Sequence, residues 1–366
     1  MLRRGLYCGR IAGVPIYLAR SWFVLTLLIV VLYGGFLSRR FAELAVNGYV
    51  LALIFALFMA LSVFVHELCH ALTARSFGWR VGSINLTLWG GHTSFTAGRD
   101  APGRSALVSL AGPAANLVIA GLGWALTGVV EPGTVGSVLL YLVTITNGLV
   151  GVFNLLPGIP LDGGHAVAAL VWKATGSRDA GLRTAAWLGL VLSLGVVAWV
   201  AATGIWRSPL TLVVTLLVVF FLASGAVQTL RAVTFRKAVG GLTVGALARP
   251  TVPVRAHQRL ADLPPLGDAR GVYLVTDERD RGIGVVDRAA LAAAGLAGDD
   301  EAPAESLMVQ VTWDRPLSPA LGGDALAARI AQLPGRIWPV YGPSGTPGLL
   351  FEADVIEEIR RRQSGR

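Results

Sequence analysis

Two histidines and a glutamate stand in SVFVHELCHALTA, Ser62 to Ala74, a run that is otherwise almost wholly apolar. His66 and His70 are four residues apart, so on a helix they project from one face about one turn apart, a separation suited to gripping a single metal ion. Glu67 lies beside them. The pattern H-E-x-x-H is the one that zinc-dependent peptide hydrolysis uses, with the glutamate as general base. Two histidines and an acid can also fall together on a helix by chance. Ionisable side chains at bilayer depth cost about 2.5 to 3.5 kcal/mol each on insertion scales, however, so they call for a partner. A metal would supply one.

A zinc ion that keeps one position open for water needs a third protein ligand. The stretch NGLVGVFNLLPGIPLDGGHAV offers candidates. Asn154, Pro157 and Pro160 interrupt regular helix, and Asp162 precedes Gly163 and Gly164, which let backbones approach closely. Asp162 is favoured over His165, which follows the glycine pair and lies nearer an aqueous edge. Cys69 reads as a small packing residue. His92 reads as a solvated polar residue, the alternative being a lid that sets it over the metal.

The elements that must position these groups are membrane spans. Of 366 residues 54% are hydrophobic and 14% charged, against about 25% charged in a soluble domain. Stretches near residues 21–38, 47–73, 105–130, 136–156, 184–203 and 208–230 reach the roughly 20 apolar residues that a crossing needs. The net charge is +9, yet the basic residues sit between apolar runs and at the ends, without the stripe of a nucleic-acid face; no nucleic-acid partner is expected. Lys and Arg crowd the N-terminal segment, the second and fourth loops and the segment after the sixth span, whereas the other side holds Arg39, Arg40 and Arg207. That bias predicts a multi-pass cell-membrane protein with both termini cytoplasmic. The basic start lacks a continuous apolar stretch with a cleavage site, so the first span is expected to stay as an anchor. Cys8 and Cys69 define no disulfide framework.

The loop FGWRVGSINLTLWGGHTSFTAG alternates apolar and polar residues around Ile84, Leu86 and Leu88 before Gly90 and Gly91, which predicts strands. Strands at bilayer depth must be covered by protein or face a water-filled site, so this loop is expected beside the active cavity. The expected fold class is a polytopic α-helical membrane protein with six transmembrane helices, a membrane-associated β-hairpin or sheet, and a C-terminal α/β cytoplasmic domain.

Four features together resemble the site-2 protease family of intramembrane zinc metalloproteases. They are His66 to His70, the AGPAAN segment from Ala111 to Asn116, the N-x-x-P-x-x-x-L-D-G run from Asn154 to Gly163, and the N-terminal GRIAGVPIYL. The resemblance covers about residues 5–235 and implies one Zn2+ per site, with His66, His70 and Asp162 as ligands and Glu67 as base. It also implies Asn154 as a substrate-positioning residue, Asn116 as a packing or cavity residue, and single-span membrane proteins as substrates. A transmembrane helix hides its carbonyls in intrahelical bonds, so such a substrate must unwind before attack. Strand addition to the segment from Ser83 to Leu88, with Ile84, Asn85 and Leu86 as binding residues, is the expected way to hold it.

Residues 1–240 are thus expected to form the protease domain and residues 241–366 a cytoplasmic one. In the latter, GVYLVTDERDRGIGVVDRAALAA and RIWPVYGPSGTPGLLFEADVIEEI each read strand, turn, strand, helix. They resemble a tandem pair of cystathionine-beta-synthase-type (CBS) modules, which implies a regulatory role, pairing into a homodimer, or adenine-nucleotide binding. Only Asp354 fits the ribose-contacting position; the first repeat has Asp287 and Ala290 there. Two rival readings are a metal transporter, which gives Glu67 no task, and a noncatalytic membrane scaffold, which needs no base.

Overall fold

The computed structural model describes residues 5–41, 46–87, 90–96, 101–297, 299–311, 313, 315–333, 335–341 and 347–364. Leu88, the end of the expected substrate strand, lies outside them. Two compact units result, Met1–Leu230 and Arg231–Arg366.

The first unit opens with β1 (Gly5–Ile11) and β2 (Val14–Ala19), followed by α1 (Arg20–Arg40). Helix α2 (Gly48–Ser76) starts at Asn47, whose side-chain oxygen accepts the Tyr49 N–H at 2.9 Å, satisfying one of the donors that a helix start leaves free. After β3 (Arg80–Thr87) and β4 (Gly90–Thr96), helix α3 (Pro102–Leu126) begins with a proline where no N–H is needed. A capping box between Thr134 and Ser137 starts α4 (Val135–Asn154). Helix α5 (Asp162–Thr175) ends at Gly176, which takes a left-handed φ of 70°, and Ser177 caps α6 (Arg178–Thr203). Helix α7 (Pro209–Val239) follows. Six of these helices, α1, α2, α3, α4, α6 and α7, are long and apolar enough to cross a membrane, in keeping with the six expected spans.

Helix α5 is the addition. Its 14 residues extend about 21 Å, short of a hydrocarbon core of about 30 Å. Gly163 and Gly164, expected to let backbones approach closely, occupy its first turn. A Cβ at Gly163 would overlap the Leu155 carbonyl, and one at Gly164 the backbone of Gly158, so the glycines press the helix start against its own entry loop. That loop is tied to α6 through Ile159 N–H and the Ala185 carbonyl, 3.0 Å apart.

The four strands form one sheet in the order β1-β2-β3-β4. The N-terminal hairpin, which the sequence did not announce, joins β3 in parallel: Ile16 faces Ile84 and Leu18 faces Leu86. On its other side β3 pairs with β4 in antiparallel register, Ile84 with Thr93 and Asn85 with His92. Val14, Ile16, Ile84 and Leu86 pack with Ala71 of α2 in one core, so the sheet lies on the turn of α2 that carries the histidines. This corrects the expected strand addition at Ile84, Asn85 and Leu86. Both edges of β3 already exchange hydrogen bonds with neighbours, and no donors or acceptors remain there for a third strand. Among the described residues, the edge left open beside α2 is that of β4.

The second unit runs α8 (Val244–Leu247), β5 (Thr251–Arg255), β6 (Val272–Thr276), β7 (Gly282–Val286), α9 (Arg288–Ala297), β8 (Val309–Gln310), α10 (Gly323–Ile330), β9 (Ile337–Tyr341), β10 (Pro347–Phe351) and α11 (Glu352–Gln363). The two expected repeats are β6-β7-α9 and β9-β10-α11. Asp354 is already engaged. Arg249 donates from Nε and Nη2 to its two carboxylate oxygens at 2.7 and 2.6 Å and stacks over the Phe351 ring at 4.3 Å. These bonds push the Arg249 guanidinium above its ordinary pKa, and a bidentate pair of this kind is among the stronger charged contacts. A ribose would have to displace it. ATP titrated into the full-length chain is therefore expected to give a flat calorimetric trace; a saturable heat would contradict this account of Asp354.

Candidate metal centre

Two helices supply the side chains of the centre and a third, α3, packs against them. Helix α2 supplies His66, Glu67 and His70, all buried, because positions 66 and 70 fall on the helix face that the sheet and α3 cover. The start of α5 supplies Asp162, 96 residues away in sequence from His66. His66 Nε2 and His70 Nε2 are 3.1 Å apart, and Asp162 Oδ2 lies 3.1 Å from the first and 3.5 Å from the second. Among the described residues these three are the His, Cys, Asp and Glu side chains close enough to share an ion.

The donor set passes three tests for zinc. Zinc bonds of about 2.0 to 2.2 Å in tetrahedral geometry put neighbouring donors about 3.3 to 3.6 Å apart, and the three separations here are close to that. Each Nδ1 is engaged elsewhere: His66 Nδ1 lies 2.5 Å from Asn116 Oδ1, and His70 Nδ1 donates to the Val108 carbonyl at 2.6 Å. Both Nε2 atoms thus face the shared space. Finally, α3 passes the centre with Gly112, where a Cβ would stand against the Nε2 atoms of both histidines. The missing side chain keeps the space beside the donors clear. These residues could hold a zinc ion, with a fourth position left for water.

A cavity of about 660 Å³ opens onto the centre and is lined by Glu67, His70, His92, Thr93, Asp162 and His165, among others. The Thr93 hydroxyl of β4 donates to Glu67 Oε2 at 2.7 Å, so β4 rather than β3 is the strand that touches the glutamate. His92 and His165 line the cavity without joining the group of three. Cys69 is half-buried and likewise outside it. Asn154, the last residue of α4, is half-buried and absent from the lining. Ile84 is fully buried in the core beneath the sheet. The Asn85 amide donates to Ser83 Oγ at 2.9 Å. Leu86 lines a different, apolar cavity of about 440 Å³ between α1, α2 and α4.

The sequence gives no role to Asn147, Ser62 or Thr93, and the family resemblance gives Asn116 only a packing or cavity role. Asn147 and Asn116 are fully buried amides in apolar spans. Their cost at that depth was the available signal, but their partners lie on other helices and no spacing reveals them.

Gly112→Ala removes no ligand, yet its methyl group would fill the space between the two Nε2 atoms. Zinc content by elemental analysis is expected to fall from about one ion per chain to a small fraction. Full occupancy in the variant would show that the ion lies elsewhere.

The model of peptidase family M50 matches residues 54–139 and 130–197, which contain the two histidines and Asp162. A relative from Synechocystis, named as a zinc metalloprotease, is 32% identical over 263 residues, covering 69% of this chain and 67% of its own. Among solved structures, the site-2 protease of Methanocaldococcus jannaschii is similar over 62% of this chain and 95% of its own, at 23% identity and a TM-score of 0.46. The CBS domain of a membrane protein from Sphaerobacter thermophilus is similar over 36% of this chain and 96% of its own, at 16% identity and a TM-score of 0.26. With its family model matched across the zinc-binding candidates and a relative named as a zinc metalloprotease 32% identical over 69% of its length, this chain belongs to peptidase family M50, the site-2 protease family of intramembrane zinc metalloproteases.

Proposed function

We propose that this enzyme hydrolyses a peptide bond in the transmembrane segment of single-span membrane proteins, as a step of regulated intramembrane proteolysis, with His66, His70 and Asp162 holding zinc and Glu67 as general base. The observation that carries the reading is the place of Glu67. It is buried on the same turn as the histidines, lines their cavity, and has one carboxylate oxygen held by Thr93. A structural metal site or a transport path has no use for a base so held.

Zinc, when bound, supplies Lewis acidity that lowers the pKa of a bound water toward about 7 and polarises a carbonyl. The chain's own residues do the rest. The Thr93 hydroxyl occupies Oε2 of Glu67, which leaves Oε1 to take a proton during attack and to return it to the departing amine. His66 and His70 are oriented by acceptors on their outer nitrogens, so the catalytic geometry exists before substrate arrives.

The substrate segment must be extended to expose its carbonyl. Among the described residues the outer edge of β4 is the open edge of the sheet near the base, and Thr93 in that strand contacts Glu67. A substrate strand added there would lie beside the general base, held by main-chain hydrogen bonds whatever its side chains. Asn154 would act from outside the cavity lining, at the end of α4. The Lys and Arg bias supports a cytoplasmic side for both termini, and the CBS-like repeat order supports reading residues 241–366 as a regulatory domain that pairs with a second copy. A C-terminal reporter that proves accessible from outside the cell would overturn that orientation.

Glu67→Gln is expected to retain zinc and substrate while cleavage of single-span candidates falls by at least about 10³-fold, the scale set by losing general-base catalysis. Cleavage at the wild-type rate would refute the assignment. In the same assay, proline at Ser94 and then at Phe95 tests the strand edge. Alternate N–H groups point away from β3, so one of the two should cut turnover with zinc content unchanged, and equal indifference at both would sink the β4 reading.

A further inference from the structure

A buried file of polar side chains crosses the unit from α4 to the metal centre. Asn147 on α4 donates from its single amide nitrogen to the Val143 carbonyl at 2.9 Å and to Ser62 Oγ at 3.0 Å. The Asn116 amide nitrogen donates to Asn147 Oδ1 at 2.8 Å, and Asn116 Oδ1 lies 2.5 Å from His66 Nδ1. Asn147 is 0% exposed, Asn116 1% and Ser62 5%, so water does not compete for these bonds.

The direction of the file follows from one group. A backbone carbonyl can only accept, so the atom of Asn147 that faces Val143 must be its NH2. Both hydrogens of that nitrogen are then used, on Val143 and Ser62, and the Asn147 oxygen is left facing Asn116. Asn116 must present its own NH2 to that oxygen, which turns its oxygen toward His66. An oxygen there requires His66 Nδ1 to carry the hydrogen, and the lone pair is therefore on Nε2, the atom that faces Asp162 and His70. His70 reaches the same tautomer more directly, because its Nδ1 meets the Val108 carbonyl.

We propose that Asn116 and Asn147 are positioning residues of the zinc centre: anchored on the Val143 carbonyl, they lock His66 in the Nδ1–H tautomer with its Nε2 lone pair aimed at the ion. The proposal rests on His66 being a zinc ligand. Neither asparagine touches the ion or the reacting atoms; both act through His66. Ser62 is a passive acceptor in this scheme, since Val143 alone sets the polarity.

The test uses the full-length chain in detergent, stripped of metal and titrated with Zn2+ against a chromophoric chelator, with the ligand-field spectrum of the Co2+ form as second readout. Asn116→Leu removes the acceptor on His66 and is expected to weaken zinc about 10- to 100-fold and to change the Co2+ spectrum. Asn147→Leu leaves the Asn116 amide free to turn and should weaken zinc in the same direction. Asn147→Asp in its carboxylic-acid form has a hydroxyl to donate to Val143 and an oxygen to accept from Asn116, so its zinc affinity should stay within about threefold of wild type. A role in packing alone predicts something different: Asn147→Leu and Asn147→Asp would both lower the melting temperature of the metal-free chain and leave zinc affinity alike. That result overturns the proposal, as does wild-type affinity in Asn116→Leu. If Asn116→Leu does not fold, the contrast between the two Asn147 variants decides. His66→Ala is the control: zinc bound normally by that variant would refute the ligand assignment itself, whereas zinc lost there but kept in the asparagine variants refutes the file alone.

Discussion

The metal centre depends on keeping ionisable and amide side chains satisfied while they are buried between apolar helices. A buried polar group without a partner costs several kcal/mol in hydrocarbon, and α2 places His66, Glu67 and His70 there together. The neighbouring helices answer that demand. Asn116 and Val108 of α3 take the outer nitrogens of the two histidines, β4 offers Thr93 to Glu67, and α5 brings Asp162 to the inner nitrogens. The same contacts that relieve the cost of burial also orient the groups, so stability and catalytic geometry are not separate requirements here.

Close approach makes the arrangement possible. Helix α3 can lie against the histidine face because Gly112 presents no side chain to it, and α5 can begin where it does because its first turn presses on the preceding loop through two glycines. The loop itself is fastened to α6. Asp162 is thereby fixed by backbone contacts on both sides, which suits a carboxylate that must wait at a set distance from two imidazoles. The sheet has the matching role on the other flank. Packed on Ala71 of α2, it carries β4 past Glu67 and leaves one edge of that strand open.

The second unit has a different logic. Its two repeats have the strand-strand-helix order seen in the sequence, but the carboxylate that would meet a ribose is held by Arg249, whose guanidinium is itself stacked on Phe351. A resemblance at the level of repeat order therefore does not carry over to the ligand, because a binding position is decided by which side chain reaches it first.

What could be read from sequence was whatever depends on near neighbours in the chain. Six spans follow from apolar length, the pairing of His66 with His70 from the helical repeat, and the strands of the 80–96 region from alternation. Asp162 was reached from its chemistry and its place after the fourth span. Tertiary structure alone decided the rest. The N-terminal hairpin adds to β3 across more than sixty residues and closes the edge that alternation alone leaves free; Asn147 and Asn116, on different helices, become one hydrogen-bonded file; and Gly163 and Gly164 let the start of a separate short helix press on its entry loop. Periodicity, capping and span length are set by interactions within a turn or two of the chain. Which strand edge remains free, which amide faces which imidazole and which carboxylate is already paired depend on packing between distant segments, and no local spacing encodes that.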